Sequence, residues 1–136
     1  MSINNLASLQ MDQGKLGEAE PLCREALSAQ RRTLGDEHPH TLRSISNLAA
    51  LLMDQGKLGE AEPLYREALS ARRRTLGDEH PSTLGSILNF ALLRNVQGKR
   101  AEALELSRQA LAGRRRVLGE DHPDTQEALG LYNELQ

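Results

Sequence analysis

A single period governs this chain: residues 2–43 align without a gap to residues 44–85, and 35 of the 42 positions are identical. The seven differences are Asn4/Ser46, Ser8/Ala50, Gln10/Leu52, Cys23/Tyr65, Gln30/Arg72, His40/Ser82 and Arg43/Gly85. A third copy, 86–127, is more diverged but keeps Gln97-Gly98-Lys99, Ala101-Glu102-Ala103 and Leu118-Gly119-Glu120-Asp121-His122-Pro123. A partial fourth copy occupies 128–136. Such a period restricts the chain to an array. Each unit is one supersecondary element too small to bury its own apolar side, and stacking against the next unit buries it.

The element inside each unit is a pair of helices. Pro39 and Pro81 suit a first helical position, where the missing N–H has no partner to lose. From Pro39, Leu42, Ile45, Leu48, Ala49 and Leu52 recur every three or four residues and form one apolar stripe. Gly56 ends that helix, because glycine enters the left-handed region without steric cost. A second stripe runs through Ala61, Leu64, Tyr65, Ala68 and Leu69 to Leu76, and Gly77 closes it. Pro63 lies early in this helix, where it forfeits at most the first ladder bond if the helix begins near Gly59. Small residues recur where the paired helices must cross closely: Ala7 and Ala19, Ala49 and Ala61, Ala91 and Ala103.

Composition supports the same class. With no Trp, two Tyr and one Phe, the core of this 38% apolar chain must come from Leu, Ala and Ile, which pack readily between helices. The expected fold is therefore all-α, a solenoid of antiparallel helix pairs forming one domain over 1–136. A formal charge of −2 offers no general attraction to nucleic acid or anionic lipid. One cysteine, Cys23, cannot form an internal disulfide and suits a reducing compartment. No apolar run approaches the roughly 18 residues that span a membrane, and residues 1–5 lack the features of a signal peptide. These points lead to the expectation of a soluble, cytoplasmic protein that binds neither nucleic acid nor membrane.

The run Asn47-Leu48-Ala49, Gln55-Gly56-Lys57, Glu60-Ala61-Glu62-Pro63-Leu64-Tyr65 and Ala68-Leu69 resembles a tetratricopeptide repeat. The 42-residue period and the connector Leu76-Gly77-Asp78-Glu79-His80-Pro81 resemble the variety found in kinesin light chains. The resemblance covers nearly the whole chain. It implies a right-handed superhelix whose first helices line a concave groove that receives an extended peptide or a partner helix. It also implies a role for the Asn before each Leu-Ala pair, here Asn5 and Asn47 with Asn89 at the matching position, in hydrogen-bonding a peptide backbone. An amide offers the donor and the acceptor that a peptide bond presents. The other reading of these Asn side chains is that they cap or brace a neighbouring helix.

On the same expected face lie Asn4 and Ser8 in the first copy, Arg43, Ser46 and Ala50 in the second, and Leu88 and Leu92 in the third. This groove should be polar at its start and more apolar toward the third copy. Arg43 is its one cation, so the face lacks a ladder of basic residues for clamping a C-terminal carboxylate.

Other features read more simply. His38, His80 and His122 form a ladder, each before a Pro, but equivalent residues of successive repeats stand about 8–10 Å apart or more. One zinc ion needs all its ligands within roughly 2.3 Å, so helix capping or inter-repeat hydrogen bonding is the expected role and no metal is. The arginines at 31–32, 72–74 and 114–116 should stack into a basic stripe along one edge. Each run is followed by acidic residues, and no aromatic residues are interleaved to stack bases. Cys23 matches Tyr65 on the apolar stripe and reads as a small core residue. No phosphate loop, nucleophile elbow or metal motif appears, so the expectation is a non-enzyme needing no cofactor.

The first copy lacks the His-Pro start, and its outer face resembles an internal interface. A helix from about Pro123, carrying Ala128, Leu129, Leu131, Tyr132 and Leu135, is placed to cover the third copy. Two functions follow. The first is a scaffold that binds a peptide or protein in the groove of first helices. The second is a structural array, a fragment, a design or a recent duplication, that self-associates through exposed terminal repeats such as the N-terminal one.

Overall fold

The computed structural model describes residues 16–136, with the side chain of Leu16 excepted. Six helices follow one another: α1 (Leu16–Thr33), α2 (Pro39–Asp54), α3 (Leu58–Leu76), α4 (Pro81–Val96), α5 (Arg100–Leu118) and α6 (Pro123–Leu135). Among the described residues there is no strand. The architecture is all-α, a solenoid type built of antiparallel helix pairs. The chain divides into two compact units, Met1–Ala71 and Arg72–Gln136. In the first, α1 packs on α2; in the second, α5 packs between α4 and α6.

The helix boundaries fall where local chemistry puts them. Pro39, Pro81 and Pro123 are first helical residues, and the histidine before each is the cap. Their Nδ1 atoms accept from the backbone N–H two residues on, at 3.1 Å from His40, 3.0 Å from Ser82 and 3.0 Å from Asp124. Each cap therefore satisfies an N–H that the helix itself leaves without an acceptor. The histidine ladder is three copies of one capping device. At the other end of α2, Gly56 at φ 80° lets Lys57 N–H reach back to Leu52 O at 2.8 Å, while Gly56 N–H reaches Met53 O at 2.9 Å. This double closure is the Schellman arrangement, and Gly98 repeats it after α4 with Lys99 N–H to Arg94 O at 2.8 Å.

Pro63 departs from expectation. Helix α3 starts at Leu58, so Pro63 is its sixth residue. Ala61 N–H already bonds Lys57 O at 3.1 Å, and the bond forgone is the one to the Gly59 carbonyl. Gly59 is exposed, so water can satisfy that oxygen and the proline is tolerated.

The core is aliphatic. In the first unit Ala19, Leu42, Ile45, Leu48, Ala49, Leu51, Leu52 and Ala61 are buried; in the second, Leu84, Ile87, Ala91, Leu93, Ala103, Ala110 and Leu111 are. The alanines expected at close crossings, Ala19, Ala49, Ala61, Ala91 and Ala103, are all 0% exposed; Ala7 lies outside the described residues. Helix α6 buries Ala128, Leu131 and Leu135 against α5, with Leu129 and Tyr132 half-buried. Arg100, at the position of Leu58, donates to the last carbonyls of α6, at 2.9 Å to Leu135 O and 3.1 Å to Glu134 O. A cation there opposes the negative end of the helix dipole.

Candidate peptide-binding face

Helical spacing decides which polar residues face out. On α2, Arg43, Asn47, Ala50 and Asp54 follow the i, i+4, i+7, i+11 sequence of one face. Arg43, Asn47 and Asp54 are exposed, with Ala50 half-buried, while Thr41, Leu42, Ser44, Ile45, Leu48 and Ala49 point into the unit. Ser46 is half-buried beside this stripe. On α4 the same positions carry Gly85, Asn89, Leu92 and Val96. Asn89 is half-buried, and Leu92 and Val96 are 37% and 56% exposed. Charged and polar groups on α2 thus give way to aliphatic ones on α4, with the Asn kept.

Among the residues expected to line the face, Asn47, Arg43, Ser46, Ala50, Asn89 and Leu92 all reach the surface at least in part. Leu88 does not: it is 4% exposed and belongs to the core, because it sits one residue round the helix from Asn89. Asn4, Asn5 and Ser8 lie outside the described residues.

The arginine runs do not form a uniform basic stripe. Successive helical residues point about 100° apart, so three adjacent arginines have three different surroundings. Arg114 is 6% exposed and donates to Asp124 O at 2.7 Å and to Glu127 at 3.1 Å. Arg72, half-buried with its guanidinium lowered in pKa by burial, donates to Ser86 Oγ at 2.6 Å. Gln30, the same position in the first copy, accepts from Ser44 Oγ. One position per repeat therefore braces the start of the next helix. The following arginine faces out to an acid five residues on: Arg31 to Asp36 at 2.9 Å, Arg73 to Asp78 at 3.5 Å and Arg115 to Glu120 at 2.6 Å. Arg116 pairs with Glu79 at 2.6 Å.

Cys23 is 5% exposed, and burial raises its thiol pKa, which withholds the thiolate that reactivity needs. Among the described residues no group of three His, Cys, Asp or Glu could hold a metal ion. Nor is any described helix long and apolar enough to cross a membrane. Two features escaped the sequence reading. Arg94, 8% exposed, stacks 4.7 Å above the Phe90 ring and bonds Gln97 at 2.8 Å. Gly113 meets Leu84 so closely that an added Cβ would lie 2.5 Å from a Leu84 methyl.

Helix pairs repeated at a fixed period, with the same His-Pro start at α2, α4 and α6, define the class of helical-repeat scaffolds. The chain belongs to the tetratricopeptide repeat family, whose model matches residues 1–40, 41–82 and 83–124. Its repeats are of the kinesin-light-chain-like kind. Two crystal structures of the kinesin light chain nearly identical TPR-like repeats of Podosopora anserina are similar to it. One is 30% identical with a TM-score of 0.83, covering 98% of this chain and 71% of that one. The other is 29% identical with a TM-score of 0.84, covering 98% and 72%. BtubC (BKLC) from P. vanneervenii shares the fold at a TM-score of 0.86 and 23% identity, over 96% of this chain. This chain spans about half of that protein, 52%. Comparison with the curated proteins gives no match.

Proposed function

We propose that the protein is a non-catalytic interaction scaffold that binds extended peptide segments on the outward stripe of each unit, that of α2 in the first and that of α4 in the second. Tetratricopeptide repeats are generally protein-interaction scaffolds, which supports the coarse reading. The observation that carries the finer one is the pair of matched stripes. Arg43, Asn47, Ala50 and Asp54 on α2 and Gly85, Asn89, Leu92 and Val96 on α4 occupy the same positions of successive repeats. Only the Asn is common to both. An amide that can donate to and accept from a peptide backbone is constant, while the positions that would read side chains vary. Asn47 is exposed on a helix fixed by its cap and its core, so it is held ready with little ordering left to do.

The varied positions set the preference. Arg43 favours an acidic residue opposite α2, and Leu92 with Val96 favours an aliphatic or aromatic residue opposite α4. Selection from a random decapeptide library tests this. Enriched peptides that carry the acidic residue should lose binding to Arg43→Ala/Asn47→Ala by about tenfold or more, the scale of one or two lost charged hydrogen bonds. Peptides of this kind that bind the double variant as well as the parent would remove the proposal.

A further inference from the structure

The three histidine caps are acceptors, and that fixes their protonation state. Each Nδ1 accepts a backbone N–H, that of His40 at 3.1 Å, of Ser82 at 3.0 Å and of Asp124 at 3.0 Å. A ring nitrogen that accepts carries no proton, so His38, His80 and His122 cap only as neutral imidazoles with their hydrogen on Nε2. A proton on Nδ1 turns the acceptor into a donor that faces another donor. It also sets a positive charge at the positive end of the helix dipole. Imidazole is the side chain that changes charge between about pH 5 and 8, and all three residues reach the surface at least in part. We infer that His38, His80 and His122 form an acid-sensitive device, which holds the starts of α2, α4 and α6 at neutral pH and releases them together as the rings protonate. The hydrogen bond belongs to the neutral ring, so its stabilisation is present above the imidazole range and is lost as pH falls through it.

The charges around each cap decide how much it loses. Directly before the rings stand Glu37, Glu79 and Asp121, and one residue earlier Asp36, Asp78 and Glu120. Most of these acids turn to arginines: Asp36 to Arg31 at 2.9 Å, Asp78 to Arg73 at 3.5 Å, Glu79 to Arg116 at 2.6 Å and Glu120 to Arg115 at 2.6 Å. The helix before each start adds one more side chain. Gln30 of α1 accepts from Ser44 Oγ, Arg72 of α3 donates to Ser86 Oγ at 2.6 Å, and Arg114 of α5 donates to Asp124 O at 2.7 Å and Glu127 at 3.1 Å.

Within the first turns the three copies differ. Asp124 places its Oδ2 4.0 Å from His122 Nδ1, so a charged His122 gains a carboxylate in exchange for the lost bond. The same position after His80 is Ser82, which offers no charge. After His38 it is His40, whose ring lies 4.9 Å from that of His38, and a second imidazolium there adds repulsion. Acid therefore costs the starts of α2 and α4 more than that of α6.

The triple variant His38→Asn/His80→Asn/His122→Asn keeps a side-chain acceptor at each start, and its amide oxygens do not titrate. Urea unfolding of the whole chain, followed by far-ultraviolet circular dichroism, compares it with the parent at about pH 7.5 and about pH 5, either side of the imidazole range. Between those values the folded-to-unfolded ratio of the parent should fall about twentyfold or more relative to the variant, on the scale of about fivefold for each lost cap. Nitrogen-15 spectra of the parent read the rings and the capped amides without any substitution. There the Ser82 and His40 N–H signals should move in step with protonation of His80 and His38. Equal pH dependence in the parent and the triple variant overturns the inference, and so does a parent that gains stability over the variant in acid. Ser82 and His40 amides that stay in place while the rings protonate overturn it as well, whether or not the variant folds.

Discussion

Gly113 offers a test of the packing in which the sign of an effect should reverse. It lies inside α5, where replacing glycine by alanine ordinarily stabilises a helix by about 1 kcal/mol. Here the new Cβ would sit 2.5 and 3.1 Å from the two methyl carbons of Leu84 and 3.4 Å from its Cγ. Unstrained carbon contacts lie near ~3.5–4.0 Å, so Leu84 must move by about 1 Å. Leu84 is 2% exposed and held between helices, and overpacking of this kind costs roughly 1–3 kcal/mol. Gly113→Ala should therefore leave stability unchanged or lower it by up to about 2 kcal/mol, despite its better helix propensity. Leu84→Ala removes the obstructing methyls at a cost of roughly 2–5 kcal/mol. In that background Gly113→Ala should stabilise by about 1 kcal/mol, its intrinsic helix gain. Urea unfolding of the parent, both single variants and the double variant, followed by far-ultraviolet circular dichroism, gives the coupling directly. If Gly113→Ala has the same effect with and without Leu84, the close approach of α4 and α5 is not what this structure describes.

Three further outcomes follow from single groups. His122→Ala should cost about 0.5–2 kcal/mol, the range for a lost N-cap, and raise amide exchange in the first turn of α6; His122→Asn should retain most of the cap. Burial raises the Tyr65 hydroxyl from its ordinary 10.0 to about 12. The raised value means stability is complete below about pH 10 and is lost as pH rises toward 12, and Tyr65→Phe should remove that alkaline loss in pH-dependent unfolding. Lys57 first and then Arg24 hold Glu20 below its ordinary carboxylate value. A lowered value stabilises above the ordinary range and fades as pH falls through it, so the acid side of the stability curve should flatten in Glu20→Gln.

What could be read from the sequence was what depends on neighbours in the chain. Pro39 and Pro81 mark helix starts, and Gly56 and Gly77 mark ends, because those effects act within a turn. The role of the histidines needed coordinates to choose between capping and inter-repeat bonding, since Nδ1 reaching the N–H two residues on is a matter of one rotamer. The arginines were harder. Arg72 and Arg73 are adjacent in one basic run, yet one braces the helix that follows and the other faces out. The difference is one step of helical phase, and composition carries no phase. The same single step placed Leu88 in the core while its neighbour Asn89 comes partly to the surface. The pairing of Gln30 with Ser44 and of Arg72 with Ser86 did leave a trace, because Gln30/Arg72 is one of only seven differences between two otherwise identical copies. Gly113 left none: a glycine inside a helix reads as a weakness until the Leu84 side chain beside it is seen.

The account stands on the outward stripes of α2 and α4 as peptide-binding faces, one in each unit. Side-chain amide resonances of Asn47 and Asn89, followed by nitrogen-15 spectroscopy during titration with a peptide selected from the random library, test it most directly. Each amide pair should shift and saturate with binding to its own stripe, with Leu92 methyl signals moving alongside Asn89. Saturable binding that leaves the Asn47, Asn89 and Leu92 signals in place would contradict the account and assign the partner to another surface.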